Sequence, residues 1–224
     1  LREMYTTRTV FDDNGKPRRL HSEISIEHAA ALYRAILSRK PRVVLEVGMA
    51  FGASTLTILT ALRELGSGAR LLSIDPGQSS DFLRIGLANV RRAGLDRWHA
   101  LIELPSYAAL PRLLADNTRI DFAYIDGYHT FCYAFVDFFF IDKMLPVGGV
   151  VGFNDCGYPS IRRVLKFVKT HRRYAAIDIG LKPNFRGRNW LRSLVRRLLG
   201  WSRQDQYFEK LECWDPPWNF YARF

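Results

Sequence analysis

Apolar and polar positions along the 224-residue chain follow two alternating rhythms. Short continuous apolar runs of strand length are separated by longer stretches in which apolar residues recur every three or four positions, the spacing of one helix face. The first such stretch follows Ser25, whose hydroxyl can accept from the free amides of a helix start, and sets Ile26, Ala29, Ala30, Tyr33, Ile36 and Leu37 on one face to about Ser38. Pro41 ends it. Beyond it the pattern predicts strand 42–48, helix 53–65, strand 70–74, helix 82–93, strand 98–103 and helix 107–116. The rhythm continues with strand 120–126, helix 131–145, strand 149–154 and helix 160–171, and the YAAIDIG run from Tyr174 reads as a sixth strand. Strands alternating with helices imply right-handed crossovers and an α/β fold: a doubly wound, mainly parallel sheet with helices on both faces. The tail leaves this rhythm. Residues 207–213 and 218–224 are aromatic-rich extended segments joined through Asp215, Pro216 and Pro217, and predict an antiparallel hairpin at the sheet edge.

Length and an apolar fraction of 48% suit one domain with a full core. Its expected parts are an N-terminal cap helix 1–40, a core 41–180, a basic amphipathic insertion 181–206 and C-terminal edge strands 207–224. Cys132, Cys156 and Cys213 form an odd set without C-x-x-C spacing, which argues against a disulfide framework and a zinc site and for a reducing compartment. The N-terminus shows no basic region followed by an apolar core, and no uncharged apolar run reaches bilayer-spanning length, so the expected location is cytoplasmic.

The net charge of +11 would suggest a nucleic-acid partner, but much of it is concentrated late in the chain. From 182 to 203 there is no acidic residue, while Lys182, Arg186, Arg188, Arg192, Arg196, Arg197 and Arg203 are basic. No RNA-binding module with stacking aromatics accompanies them, so no nucleic acid is expected. Within 190–201, Trp190, Leu191, Leu194, Val195, Leu198 and Leu199 fall on one helical stripe with Arg192, Arg196 and Arg197 largely off it. The first expectation is a helix packed on its own domain with solvated arginines. A lid or a homo-oligomer contact comes next, and peripheral membrane contact through 186–203 is less favoured.

The candidate chemistry begins at 43–52, VVLEVGMAFG. A strand that stops at Gly48 and re-enters a helix after Gly52 brings bare backbone and a helix N-terminus up to a ligand. The next strand ends in Asp75, close to the separation at which nucleotide-binding units place an acid for ribose hydroxyls. Ala50 replaces the glycine that lets a pyrophosphate approach, while Ala53 is an allowed final residue of the fingerprint. A dinucleotide is thereby disfavoured, and S-adenosylmethionine, which has a ribose and no phosphate, suits the Rossmann-like turn better. A tight turn with no ligand is the plain alternative. A second cluster puts Asp126, His129, Asn154 and Asp155 at or just beyond the ends of two strands, where open parallel sheets bind ligands. Singly, the two acids read as helix caps and His129 as a solvated turn residue; together they point to one crevice.

The order LEVGMAFGAST, LLSIDP, FAYIDGYHTF and LPVGGVVGFND resembles the class I S-adenosylmethionine-dependent methyltransferases. More narrowly, it is similar to the small-molecule O-methyltransferase branch of caffeoyl-CoA, macrocin and cephamycin-type enzymes. The resemblance implies that Glu46, Gly48, Ala50 and Ser54 surround the methionine part of the cofactor, with Met49, Gly52 and Asp126 also contributing. It implies that Asp75 holds the ribose and that Ser106 and Tyr107 lie near adenine. In metal-dependent members a divalent ion is held after the fourth and fifth strands, which here implies Mg²⁺ at Asp126, Asn154 and Asp155. Several relatives have two acids, or an acid then an amide, where this chain has Asn154 then Asp155. The expected reaction is methyl transfer to a hydroxyl of a small-molecule acceptor, with His129 as general base beside Asp126. A non-catalytic nucleotide-binding module and an RNA methyltransferase are the alternative readings.

Overall fold

The computed structural model describes residues 1–66, 68–186, 189–199 and 201–221. Arg188 of the basic segment and residues 222–224 of the expected hairpin lie outside them. The chain order is α1 (Arg2–Thr7), β1 (Thr9–Phe11), β2 (Pro17–Arg19), α2 (Ile26–Arg39), β3 (Val43–Val47), α3 (Ala53–Leu65), β4 (Arg70–Ile74), α4 (Ile85–Arg92) and a 3-10 turn at Asp96–Trp98. It continues with β5 (His99–Ile102), α5 (Ser106–Ala115), β6 (Phe122–Ile125), α6 (Phe131–Met144), β7 (Val150–Phe153), α7 (Pro159–His171), β8 (Tyr174–Ile177), α8 (Trp190–Leu198) and β9 (Gln206–Lys210).

Seven of these strands form one sheet in the order β5-β4-β3-β6-β7-β9-β8. The neighbours from β5 to β7 are parallel, and β9 runs antiparallel between β7 and β8. The fold is α/β with a mostly parallel sheet, as the alternating pattern predicts. Successive strand residues point to opposite faces, so Val44 enters one buried cluster while Leu45 and Val47 enter the other. Local signals set the helix ends: the Ser25 hydroxyl accepts from the His28 amide to open α2, and Gly66 in the left-handed region closes α3.

Four expectations are corrected. Helix α4 begins at Ile85 rather than 82, because Leu83 and Arg84 take left-handed backbone and the Arg84 amide turns back to the Gln78 carbonyl. The YAAIDIG run is a strand only over Tyr174–Ile177, and it sits at the edge beyond β9 rather than continuing the parallel order. The closing hairpin is absent among the described residues: residues 211–221 form no strand there, since β7 and β8 already occupy both sides of β9. The stripe of α8 is not packed on the domain either; no residue of that helix is buried. An unanticipated feature is the β1–β2 ribbon, whose turn is tied by the Asp12 carboxylate accepting from the amides of Asn14 and Lys16. Its Asn14-Gly15 pair was the available signal.

The antiparallel edge is fastened by buried charge. Asp142 of α6 pairs with Arg172 Nε at 3.0 Å and Lys210 Nζ at 3.2 Å, and accepts from the Tyr174 hydroxyl at 2.7 Å. Lys210 also donates to the Leu145 carbonyl at 3.1 Å. Removing one member of such a set strands the others without solvent. Asp142→Asn is therefore expected to lower the unfolding free energy by about 3–5 kcal/mol in denaturant titration; a loss below about 1 kcal/mol would contradict this account of the edge.

Candidate functional site

Gly48 ends β3 with φ +91°, a conformation that favours glycine. Its amide donates to the Ile74 carbonyl at 2.9 Å, and a Cβ placed on it would stand 2.2 Å from the Asp126 carbonyl oxygen. The turn is thus pressed between the ends of β4 and β6. Asp75 fixes it from below: Oδ2 accepts from the amides of Met49 (3.0 Å) and Ala50 (2.7 Å) and from Gln78 Nε2 (3.1 Å), and Oδ1 accepts from the Gly77 amide (2.8 Å). These bonds fill the usual acceptor capacity of a carboxylate. A ribose hydroxyl would have to take the place of one donor, and Gln78 is the side chain among them.

Glu46 lies fully buried beneath the same turn, accepting from Thr55 and Ser73 hydroxyls at 2.7 Å each. Burial pushes its carboxyl up to about 7, against the opposing pull of the Ser54, Ser73 and Thr55 hydroxyls. Above this layer is a cavity of about 670 Å³, within the range of small-molecule sites. Gly48, Met49, Ala50, Ser54, Asp75, Ser106, Tyr107, Asp126, His129, Asn154 and Asp155 all line it. Glu46 and Gly52 are not in its wall: Gly52 instead opens α3 with φ +87°, against the Gly86 backbone. Sequence reading missed an aromatic flank in which Tyr133 lies 6.0 Å from Tyr107 and 5.1 Å from Tyr128, ring centre to ring centre. It also missed Ser22, Glu23 and Ile24, which the segment before α2 brings to the cavity.

At the far wall stands an acid–imidazole–acid arrangement. His129 Nε2 is 3.5 Å from Asp126 Oδ1 and 3.4 Å from Asp155 Oδ2. Burial alone would lower the imidazole, but Asp126 and Asp155 outweigh it and hold His129 above its ordinary 6.5. Burial pushes Asp126 up to about 6, with His129 pulling the other way. Behind this wall, Asn154 Nδ2 donates to the Tyr124 hydroxyl (3.0 Å) and to Asp205 Oδ1 (3.3 Å). Asp205 also accepts from Tyr124 at 2.8 Å and pairs with His28 Nδ1 at 3.1 Å. Tyr124, Asp205 and His28 had no motif to reveal them; β9 brings Asp205 beside Asn154 from 51 positions away.

Asp126, Asn154 and Asp155 are together as the resemblance implies, but in this arrangement they do not fit a divalent ion. The two carboxylates face the His129 nitrogen, the Asn154 amide is directed into the Tyr124–Asp205 network, and no cluster of three or more His, Cys, Asp or Glu at ligand spacing occurs among the described residues.

A family model described as a methyltransferase domain matches residues 45–156. A protein of Arabidopsis thaliana described as a candidate caffeoyl-CoA O-methyltransferase is 27% identical over 134 residues, 59% of this chain and 54% of that one. The match thus spans about half the length of that curated relative. An O-methyltransferase from Bacillus cereus in complex with SAH superposes with TM-score 0.66 at 18% identity, covering 85% of this chain and 83% of that one. TomG, an O-methyltransferase from Streptomyces achromogenes in complex with SAM, gives TM-score 0.66 at 16% identity, covering 84% and 82%. At these identities the likeness is one of fold.

Glu46 keeps its proton to higher pH in the fold than in the unfolded chain, where 4.5 applies. The folded state therefore binds more protons between about 4.5 and 7, and the contribution of this group to stability falls as pH rises through that window. Glu46→Gln, which cannot ionise, is expected to gain on the parent protein by up to about 3 kcal/mol across it, measured by denaturant unfolding at several pH values. A difference that stays flat with pH would overturn the assignment.

Proposed function

The chain belongs to the methyltransferase domain family, and from that premise we propose that it binds S-adenosylmethionine and transfers the methyl group to a hydroxyl of a small-molecule acceptor. The observation that carries this reading is the meeting of two unlike walls in one cavity. One is a backbone turn held by Asp75 beside the Gly48 strand end, and the other is the Asp126–His129–Asp155 set. The bound SAH and SAM of the Bacillus cereus and Streptomyces achromogenes enzymes support the choice of cofactor.

Methyl transfer from a sulfonium is an in-line displacement, so the protein's main tasks are alignment and exclusion of water. In this reading the Gly48–Ala50 turn and Ser54 receive the methionine part, Asp75 the ribose side, and Ser106 with Tyr107 the adenine side. The acceptor hydroxyl must lose a proton as its oxygen attacks the methyl carbon and the sulfur–carbon bond breaks. His129 takes that proton on the ring nitrogen opposite Nε2, and the two carboxylates facing Nε2 orient the ring and stabilise the imidazolium that results. The same carboxylates favour the protonated ring before reaction, so the base becomes competent only as pH rises past its upshifted value. No step requires a metal ion.

With radiolabelled cofactor and pooled small hydroxyl acceptors, product should accumulate, and kcat/KM should rise with pH through a midpoint above 6.5. His129→Gln should lower kcat about 10²–10⁴-fold and remove that limb; an unchanged kcat and pH profile would take His129 out of the chemistry. Absence of labelled product from all acceptors would leave the non-catalytic binding module as the better reading. Treatment with a chelator should leave turnover unchanged, and a loss restored by Mg²⁺ would show that Asp126 and Asp155 turn to a metal during catalysis.

A further inference from the structure

We propose that α8 and residues 182–186 form a docking surface for an anionic lipid bilayer, placed at the same end of the sheet as the cavity. The position follows from register. Ile177, the last residue of β8, pairs with Tyr207, and Gln206, the first of β9, pairs with Phe153 at the end of β7. Residues 178–205 therefore leave and rejoin the sheet at the carboxyl end of the parallel strands, where Asn154 and Asp155 line the cavity. Their base is tied together: the Arg203 amide donates to the Asn184 carbonyl at 2.7 Å, and Gln204 Nε2 to the Lys182 carbonyl at 3.1 Å.

The helix presents its apolar side outward. Trp190 and Leu198 are 77% and 76% exposed, with Leu191, Leu194 and Val195 also exposed, whereas Ser193 and Arg196 on the polar side are the half-buried ones. Along this segment the charge has one sign, since no acid occurs between 182 and 203. Next to it an open groove of about 870 Å³ is lined by Lys182, Arg186 and Arg197 together with Phe185 and Leu194. Trp190 and Trp201 stand at either end of the helix, the second with the Arg162 guanidinium 4.2 Å over its ring.

Charge and apolarity together select the occupant. A second copy meeting this face through a two-fold axis would bring one acid-free basic segment against another. A nucleic acid would engage the arginines and leave the leucines in water. An anionic bilayer takes both, with lipid phosphates against the cations and the interfacial acyl region against Trp190, Leu191, Leu194 and Leu198. The acceptor chemistry is left open by this surface, and its test is independent of methyl transfer.

The test is co-sedimentation of the full chain with vesicles of phosphatidylcholine containing about 30% phosphatidylglycerol, against vesicles of phosphatidylcholine alone. Partitioning onto the anionic vesicles should be at least about tenfold greater and should weaken as salt is raised. Leu191→Ser with Leu198→Ser, and separately Arg192→Gln with Arg197→Gln, should each reduce it about tenfold, with thermal unfolding unchanged because these side chains are exposed. No sedimentation, equal sedimentation with both vesicle types, or full binding by either double variant would overturn the proposal. So would a dimer in analytical ultracentrifugation that Leu191→Ser with Leu198→Ser dissolves, since the face would then belong to a second copy.

Discussion

Everything at the carboxyl end of this sheet depends on how closely Gly48 approaches the Asp126 carbonyl. A hypothetical Cβ at that position comes within 2.2 Å of a backbone oxygen, so no other residue fits without moving a strand end. That contact lets the ends of β3 and β6 close together, while the Gly48 amide ties the same point to Ile74 of β4. Asp75 then has only to reach two amides of the turn to lock it. The cavity is what remains above three strand ends drawn to one point, and its opposite wall is carried by the loops after β6 and β7.

A second consequence of that packing is electrostatic. Burial pushes the carboxyls of Glu46 and Asp205 up to about 7 and those of Asp126 and Asp137 up to about 6. Imidazoles lie against two of these groups. His129 leans on Asp126 and Asp155, and His28 on Asp205, so each imidazole is paired with acid on the inner side of the fold. Perturbed acids concentrated beside a cavity are the usual mark of a site arranged for proton transfer. By contrast, the charged set around Asp142 lies at the antiparallel edge, where its effect is structural.

The parallel half of the fold was legible because each of its elements carries its own signal. The apolar runs of β3, β4, β6 and β7, the glycine turn and the Ser25 cap are local, and they survive folding with shifts of a residue or two at their ends. The cavity residues Gly48, Asp75, Asp126, His129, Asn154 and Asp155 were legible for the same reason: each ends a strand or follows one. What could not be read is whatever depends on distant pairing. Nothing near Asp205 announces that β9 will insert between β7 and β8, so its bonds to Asn154 and Tyr124 were invisible. The periodicity of α8 showed an apolar arc but not its orientation, because a stripe has the same spacing whether it faces a core or solvent.

The account stands or falls on whether the hollow bounded by Gly48, Asp75, Ser106 and Asp126 is the place where an adenosyl group sits. A crystal structure of the protein grown with S-adenosylhomocysteine tests this most directly. The account predicts density for the ligand there, with its homocysteine end at the Gly48–Ala50 turn and its ribose beside Asp75, and with Gln78 displaced from that carboxylate. Ligand density on another surface, or an empty hollow at saturating ligand, would contradict it.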